Sequence, residues 1–307
     1  MRRLTHHDHG DHHHDDRGVA TIVLILAMAA MLIGAAFSID VSRHVVEARS
    51  AQNSADATVL AVATDCARTK APIADYSPYR KTGQSISTPA CGNGQAIITV
   101  TKDVQIGLFL SRDRHTIQRS ATAKWGTIGS ASTAPLVISN CEFSQALLDG
   151  TADIVLYLDD TKPQTGCSSL PGGFSQLLNN NCAVTITAGG TVPGDPGGDV
   201  MKLIPCITNP SAPALPHDIL IPMYDAAACQ AAGCKGKGPY PILGFGAFHV
   251  TGYSFNGNKS AGTLGNKCPD NTRGKYCIRG DFIQFVTSQG TPGPGTDYGV
   301  YQVSLVK

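Results

Sequence analysis

Residues 45–66 read VVEARSAQNSADATVLAVATDC. The stretch is rich in alanine, has no glycine or proline to end a helix, and carries Gln52, Asn53, Asp56 and Asp65. Val41, Val45, Ala48, Gln52, Ala55, Val59 and Val62 step alternately by four and three, the spacing of an a/d packing seam. Nearly every residue in that seam is small, so its packing partner can approach closely. That partner is either another helix or the chain's own downstream domain. Arg43 and Glu47, four apart on the flank, have the spacing of an intrahelical ion pair.

Upstream, residues 19–39 (VATIVLILAMAAMLIGAAFSI) contain no charge and are long enough to span a bilayer. No breaker separates this run from Cys66, and Pro72 and Pro78 lie beyond it. The pattern predicts one continuous helix from about residue 19 to about 65, on the order of 70 Å long and more than twice the hydrocarbon thickness. A cleaved signal peptide would have a shorter apolar core and no helical continuation, so a retained anchor is expected. Ala30, Gly34 and Ser38 recur every four residues, a small-xxx-small ribbon that lets membrane helices approach closely. Small residues are also simply common in membrane helices.

The remaining composition narrows the function. A formal charge of +1 with 15% charged residues gives no global field for nucleic acid. The 33 glycines and 18 prolines point to many turns. All ten cysteines (Cys66, Cys91, Cys141, Cys167, Cys182, Cys206, Cys229, Cys234, Cys268 and Cys277) follow the apolar run. An even count without paired Cys-x2-4-Cys knuckles reads as disulfides in an oxidising compartment rather than zinc. Proximity suggests Cys66 with Cys91, Cys167 with Cys182, Cys229 with Cys234 and Cys268 with Cys277, leaving Cys141 for Cys206. Arginines flank the span on both sides, so the cysteines set the expected topology: N-terminus cytoplasmic, remainder extracytoplasmic. The N-terminal tract HHDHGDHHHDD places His6, His7, His9, His12, His13 and His14 among aspartates, either a solvated tail or a loose, metal- or pH-responsive one.

The stretch RGVATIVLILAMAAMLIGAAFSIDVSRHVVEARSAQNSADATVLAVA closely resembles the N-terminal segment of the TadG-like (TadE/TadG) proteins of Flp/Tad pilus assembly systems. The matching positions are Arg17, Gly18, Asp40, Gln52, Asn53, Asp56, Ala57, Leu60 and Ala61. AIITVTKDVQIGLFL followed by IQRSATAKWG looks like the two strands that usually come next in such proteins. The resemblance implies a non-catalytic membrane component that packs beside other TadE/TadG-type or pilin-like helices on the pilus assembly platform, with Asp40, Gln52, Asn53 and Asp56 as polar registers. Peptidase-processed pilins of these systems carry Glu five residues after the scissile Gly; here Val23 follows Gly18, which speaks against processing.

Beyond the helix the expected fold is α+β, a mainly antiparallel, disulfide-stapled β-rich domain. Strands are expected around residues 97–101, 154–158, 219–221, 242–255, 278–286 and 298–306, with helical signals at 142–148 and 174–178. The chain divides into a tail at 1–18, a span at 19–39, a stalk at 40–66 and an extracytoplasmic domain at 67–307, a further division at 130/131 staying open. Chemistry is sparse. Asp159, Thr161 and Pro163 stand where an Asp-x-Ser-x-Ser metal loop would need side-chain oxygens, and proline has none. Arg279-Gly280-Asp281 opens a predicted strand. His115, His217 and His249 have no Gly-x-Ser-x-Gly or His-Glu-x-x-His context. No cofactor and no enzyme class are implied. The expected partners are the lipid bilayer and pilus-type helices; the alternative is a stand-alone surface module binding envelope polymer or a host ligand.

Overall fold

The computed structural model describes residues 17–69, 77–79, 81–106, 113–143, 148, 152–158, 184–194, 206, 217–234, 238–255, 259–264, 267–270, 275–287 and 290–306. The expected helix is one unbroken rod, α1 at Arg17–Thr69. Its apolar half stands bare: Ile22, Leu26, Met31 and Phe37 lie on different sides of the rod and all are exposed. The alanine-rich half lies against a sheet.

That sheet is built around a long two-stranded ribbon, β3 at Gln95–Ile106 and β4 at Asp113–Thr133, paired in continuous antiparallel register from Gln95 with Lys124 to Ile106 with Asp113. β1 (Gln84–Ile86) and β2 (Ala90–Gly92) extend it on the β3 side, and the C-terminal strand β15 (Val300–Val306) on the β4 side. β13 (Phe285–Thr287) joins β15 in parallel; β7 (Val184–Thr187) and β14 (Thr291–Pro292) pair with the far half of β4. The long β4 appears in the sequence only as interrupted alternation, because Gly126 and Gly129 punctuate it. Gly129 is required: a Cβ there would meet the Gly293 Cα at 2.6 Å where β14 crosses.

Alternation divides the ribbon into two faces. Ala96, Ile98 and Val100 of β3, Ala121 and Ala123 of β4, and Tyr301 and Val303 of β15 meet Ala55, Val59, Val62, Ala63, Cys66 and Ala67 of α1 in one buried cluster. Ile97, Thr99, Thr101, Ser120 and Thr122 take the opposite face and are not buried.

A second sheet runs β5 (Ile138–Ser139), β9 (His217–Tyr224), β10 (Tyr240–Phe255), β12 (Tyr276–Ile283) and β6 (Ile154–Tyr157), with β8 (Thr191–Val192) and β11 (Lys259–Gly262) on β10. All its pairs are antiparallel except β5 with β9. Ile128 and Ala131 of β4, Ile186 of β7 and Val300 of β15 pack on Tyr240, Ile242 and Phe245, so the far half of β4 joins the two sheets through a shared core. A further cluster around Leu156, Phe248, Phe255 and Phe282 fills the other core of the second sheet, where the Phe143 ring stands edge-on to Phe282 and Tyr298.

The expected strands at 97–101, 154–158, 219–221, 242–255, 278–286 and 298–306 all fall on strand structure, with ends shifted by a few residues. The helical signal at 142–148 does not hold at its start. Asn140–Glu142 is a 3-10 turn and Phe143 has extended backbone, because its ring is drawn into the aromatic cluster. The signal at 174–178 lies outside the described residues. A short helix that the sequence reading missed, α2 at Ala226–Ala231, is capped by Asp225, whose carboxylate accepts from the backbone of Ala227 and Ala228.

Cys66–Cys91, Cys229–Cys234 and Cys268–Cys277 form as the spacing suggested. The Cys141–Cys206 pairing does not: Cys141 is a free thiol beside the β5–β9 edge, and Cys206 is disulfide-bonded without it. Cys167 and Cys182 lie outside the described residues.

Overpacking the helix–sheet contact tests its closeness. Ala55, with no exposed surface, faces the sheet, whereas Asn53 faces solvent. Ala55→Leu is expected to destabilise the full chain by about 1–3 kcal/mol in denaturant unfolding in detergent. Asn53→Leu should stay within about 0.5 kcal/mol of the parent.

Candidate functional site

The helix α1 carries the candidate assembly residues, and the structure divides them into two sets. Ala30, Gly34 and Ser38 lie on the bare half, all exposed, and a Cβ built on Gly34 meets nothing within 4 Å. The Ser38 hydroxyl donates to the Gly34 carbonyl at 2.8 Å and the Ser42 hydroxyl to the Ser38 carbonyl at 2.7 Å. Both hydroxyls are thereby satisfied within the helix, so they add little polarity to an apolar segment. Asp40 is half-buried at the end of the span.

The second set is turned inward. Ala48 packs beside Ala51, Val104 and Ile117, while Ala55 belongs to the main helix–sheet cluster. Gln52 Nε2 donates to Asp56 Oδ1 at 2.8 Å and reaches the Ser120 carbonyl at 3.5 Å across the interface. Asn53 points away into solvent. From Ala48 onward the seam is therefore occupied by the chain's own sheet, the second of the two partners its spacing allowed, while Val41 and Val45 remain exposed.

Polar ties invisible in the sequence pin this contact along its length. Lys102 of β3 pairs with Glu47, so the expected Arg43–Glu47 pair does not form; the strand brings its ammonium to Glu47 and leaves Arg43 without a partner among the described residues. The Ser54 hydroxyl donates to Gln84 Oε1 at 2.7 Å, with both side chains buried. At the far end the Tyr79 hydroxyl donates to Asp65, which raises the Tyr79 pKa, and Cys66–Cys91 closes the joint covalently. Apart from the disulfide, which the cysteine spacing suggested, these ties have no local signal: they depend on strand register and join residues 14 to 68 positions apart.

The other sequence candidates are dispersed. The histidine tail and Asp159, Thr161 and Pro163 lie outside the described residues. Arg279-Gly280-Asp281 is not a displayed loop but the middle of β12: Arg279 Nε donates to Asp153 Oδ1 at 2.8 Å, and Asp281 accepts from the Asp153 backbone. Gly280 is there because a Cβ would lie 1.9 Å from the His249 carbonyl. The hydrogen bonds from Arg279 hold the Asp153 carboxyl below its ordinary pKa.

On β9 and β10, His249 Nδ1 lies 2.6 Å from Asp218 Oδ1 in a partly exposed pair. Beside them His217 is buried and neither ring nitrogen has a hydrogen-bond partner. Burial depresses its pKa, Asp218 opposes that shift and His249 reinforces it. Among the described residues no group of three or more His, Cys, Asp or Glu side chains is placed to hold a metal ion.

These features define a class: a disulfide-stapled β-rich domain carried on a helix that is long and apolar enough to cross a membrane. Within that class, residues 18–65 match the family model described as "Putative Flp pilus-assembly TadE/G-like". The match covers α1 almost end to end and stops before β1. Comparison with curated proteins gives no match, and comparison with solved structures gives none.

A buried histidine with a depressed pKa is neutral in the fold and protonates more readily when unfolded. Its contribution is complete above about pH 6.5, the unperturbed value, and is lost as pH falls through 6.5 toward the depressed folded value. Thermal midpoints of the full chain should therefore fall between pH 7 and pH 5. His217→Phe should flatten that limb while leaving the loss below about pH 4, where Asp153 and other carboxylates protonate.

Proposed function

We propose that the protein is a membrane-anchored, non-catalytic component of a Flp/Tad-type pilus assembly system. In this proposal residues 1–18 form a cytoplasmic tail, 19–39 the span, 40–66 the stalk and 67–307 an extracytoplasmic domain. The observation that carries it is the extent of the family match: it runs along α1 from Gly18 to Asp65, and the half of that helix before about Ala48 is bare. Similarity to an assembly family is thus confined to the element that, among the described residues, has a long unoccupied apolar surface.

Packing beside TadE/TadG-type helices then uses Ala30, Gly34 and Ser38, with Asp40 as the polar register at the end of the span. Small residues let two helix backbones approach within van der Waals contact in lipid, where dispersion and interhelical hydrogen bonds replace the hydrophobic effect as driving force. Gln52, Ala55 and Asp56 serve the chain's own joint, and Asn53 stays available to a neighbour. Three disulfides on the C-terminal side of the span support an extracytoplasmic location for the sheets.

A benzophenone amino acid at Ala30, irradiated in native membranes, should join this chain to another single-span polypeptide. Gly34→Leu should reduce that adduct and pilus assembly several-fold without moving the unfolding transition, since among the described residues nothing lies within 4 Å of a Cβ placed at Gly34. Adducts with lipid alone would refute helix-to-helix assembly.

A further inference from the structure

The ribbon β3–β4 does more than cover the stalk. It runs antiparallel to the direction of α1, from the Cys66 end back toward the span, and the Lys102–Glu47 pair fixes its level on the helix. From Lys102 to Ile106 the strand advances about 13 Å. From Glu47 back to Ile39 the helix covers about 12 Å. The end of the ribbon therefore stands level with the last residues of the apolar run.

Between them lies a groove of about 630 Å³. Ser38, Ile39, Arg43 and Val46 form one wall, Val104 and Gln105 the other, and the Lys102–Glu47 pair closes the end away from the span. If the hydrocarbon ends at Ile39, the headgroup layer, about 5–7 Å thick on each side, corresponds to residues 40–44. The groove begins below that layer and ends above it.

Its charges are unequal in availability. Glu47 is taken by Lys102, Asp103 accepts the Thr116 hydroxyl at 2.8 Å, and the Ser38 and Ser42 hydroxyls donate to helix carbonyls. Arg43 alone among the charged groups lining the groove has no partner among the described residues. A guanidinium offers planar paired donors suited to a phosphate, and the apolar Ile39 surface, one helical turn nearer the bilayer, suits the glycerol and first methylenes below it.

We propose that this groove seats one phospholipid of the outer leaflet, with Arg43 taking the headgroup phosphate. The inference rests on the anchoring proposed above and adds a specific lipid contact by the ectodomain. A lipid held between helix and ribbon would fix the height and tilt of both sheets over the bilayer.

The test uses the full chain in vesicles of phosphatidylethanolamine and phosphatidylglycerol, with a benzophenone amino acid at Gln105 or, separately, at Ile33 in the span, read by intact mass. Both positions should acquire lipid, and Arg43→Gln should lower the Gln105 adduct at least threefold while leaving that at Ile33 unchanged. Lipid at Ile33 with none at Gln105, a polypeptide adduct at Gln105, or an adduct there indifferent to Arg43→Gln overturns the groove and leaves the anchor standing. No lipid at either position overturns the anchor and the groove together.

Discussion

The described β-rich domain is positioned by the contact between the alanine-rich half of α1 and one face of the β3–β4–β15 sheet. Alanines stand on both sides of it: Ala51, Ala55, Ala63 and Ala67 on the helix, Ala96, Ala121 and Ala123 on the strands. Pairing small with small shortens the distance between helix and sheet, while Ile98, Val59 and Val62 fill the volume that remains. Larger side chains would bury more area individually but hold the backbones apart. Close approach also brings Ser54 to Gln84, a polar pair that would be costly in this buried setting without mutual satisfaction.

The same contact accounts for the order of the remaining chain. The strand β4 is far longer than the helix can cover, and its distal half turns to a different task, sharing Ile128 and Ala131 with the second sheet. The C-terminal strand returns to pair with the helix-bearing half of β4 and contributes Tyr301 and Val303 to its core. The helix-facing core and the inter-sheet core are thus linked by two continuous strands, so damage at Ala55 or Val59 should be felt beyond the helix.

Legibility in the sequence followed the range of the interactions. The long helix was fully legible, since lack of charge over 19–39 and lack of breakers through Cys66 are local properties. Three disulfides joining cysteines 5, 9 and 25 residues apart were legible for the same reason. The Cys141–Cys206 assignment failed because it was made by remainder, without a physical signal of its own. The seam spacing showed that α1 packs on something but left the partner open, because a sheet and a helix both accept a stripe of small residues. The ties of Glu47, Gln52 and Ser54 to the sheet depend on strand register, which only the folded chain supplies. Arg279-Gly280-Asp281 lies in a strand as its sequence context suggested, but the reason for its glycine, the neighbouring carbonyl of His249, is visible only in the fold.

The bare apolar half and the sheet-covered half share one rod with no proline, and with Gly34 as the one glycine between Val19 and Thr69. Each backbone hydrogen bond of the helix opposes bending between its bare and covered halves, and Lys102 clamps the first covered turns from the side. Rotation of the span about its axis therefore carries both sheets around with it. Any neighbour that packs on Ala30, Gly34 and Ser38 would, by choosing that azimuth, also choose which face of the β-rich domain points toward it. The open Thr- and Ser-lined face of β3–β4 and the disulfide-bearing second sheet are then presented in directions set by the apolar half of α1, without any contact between the domains themselves.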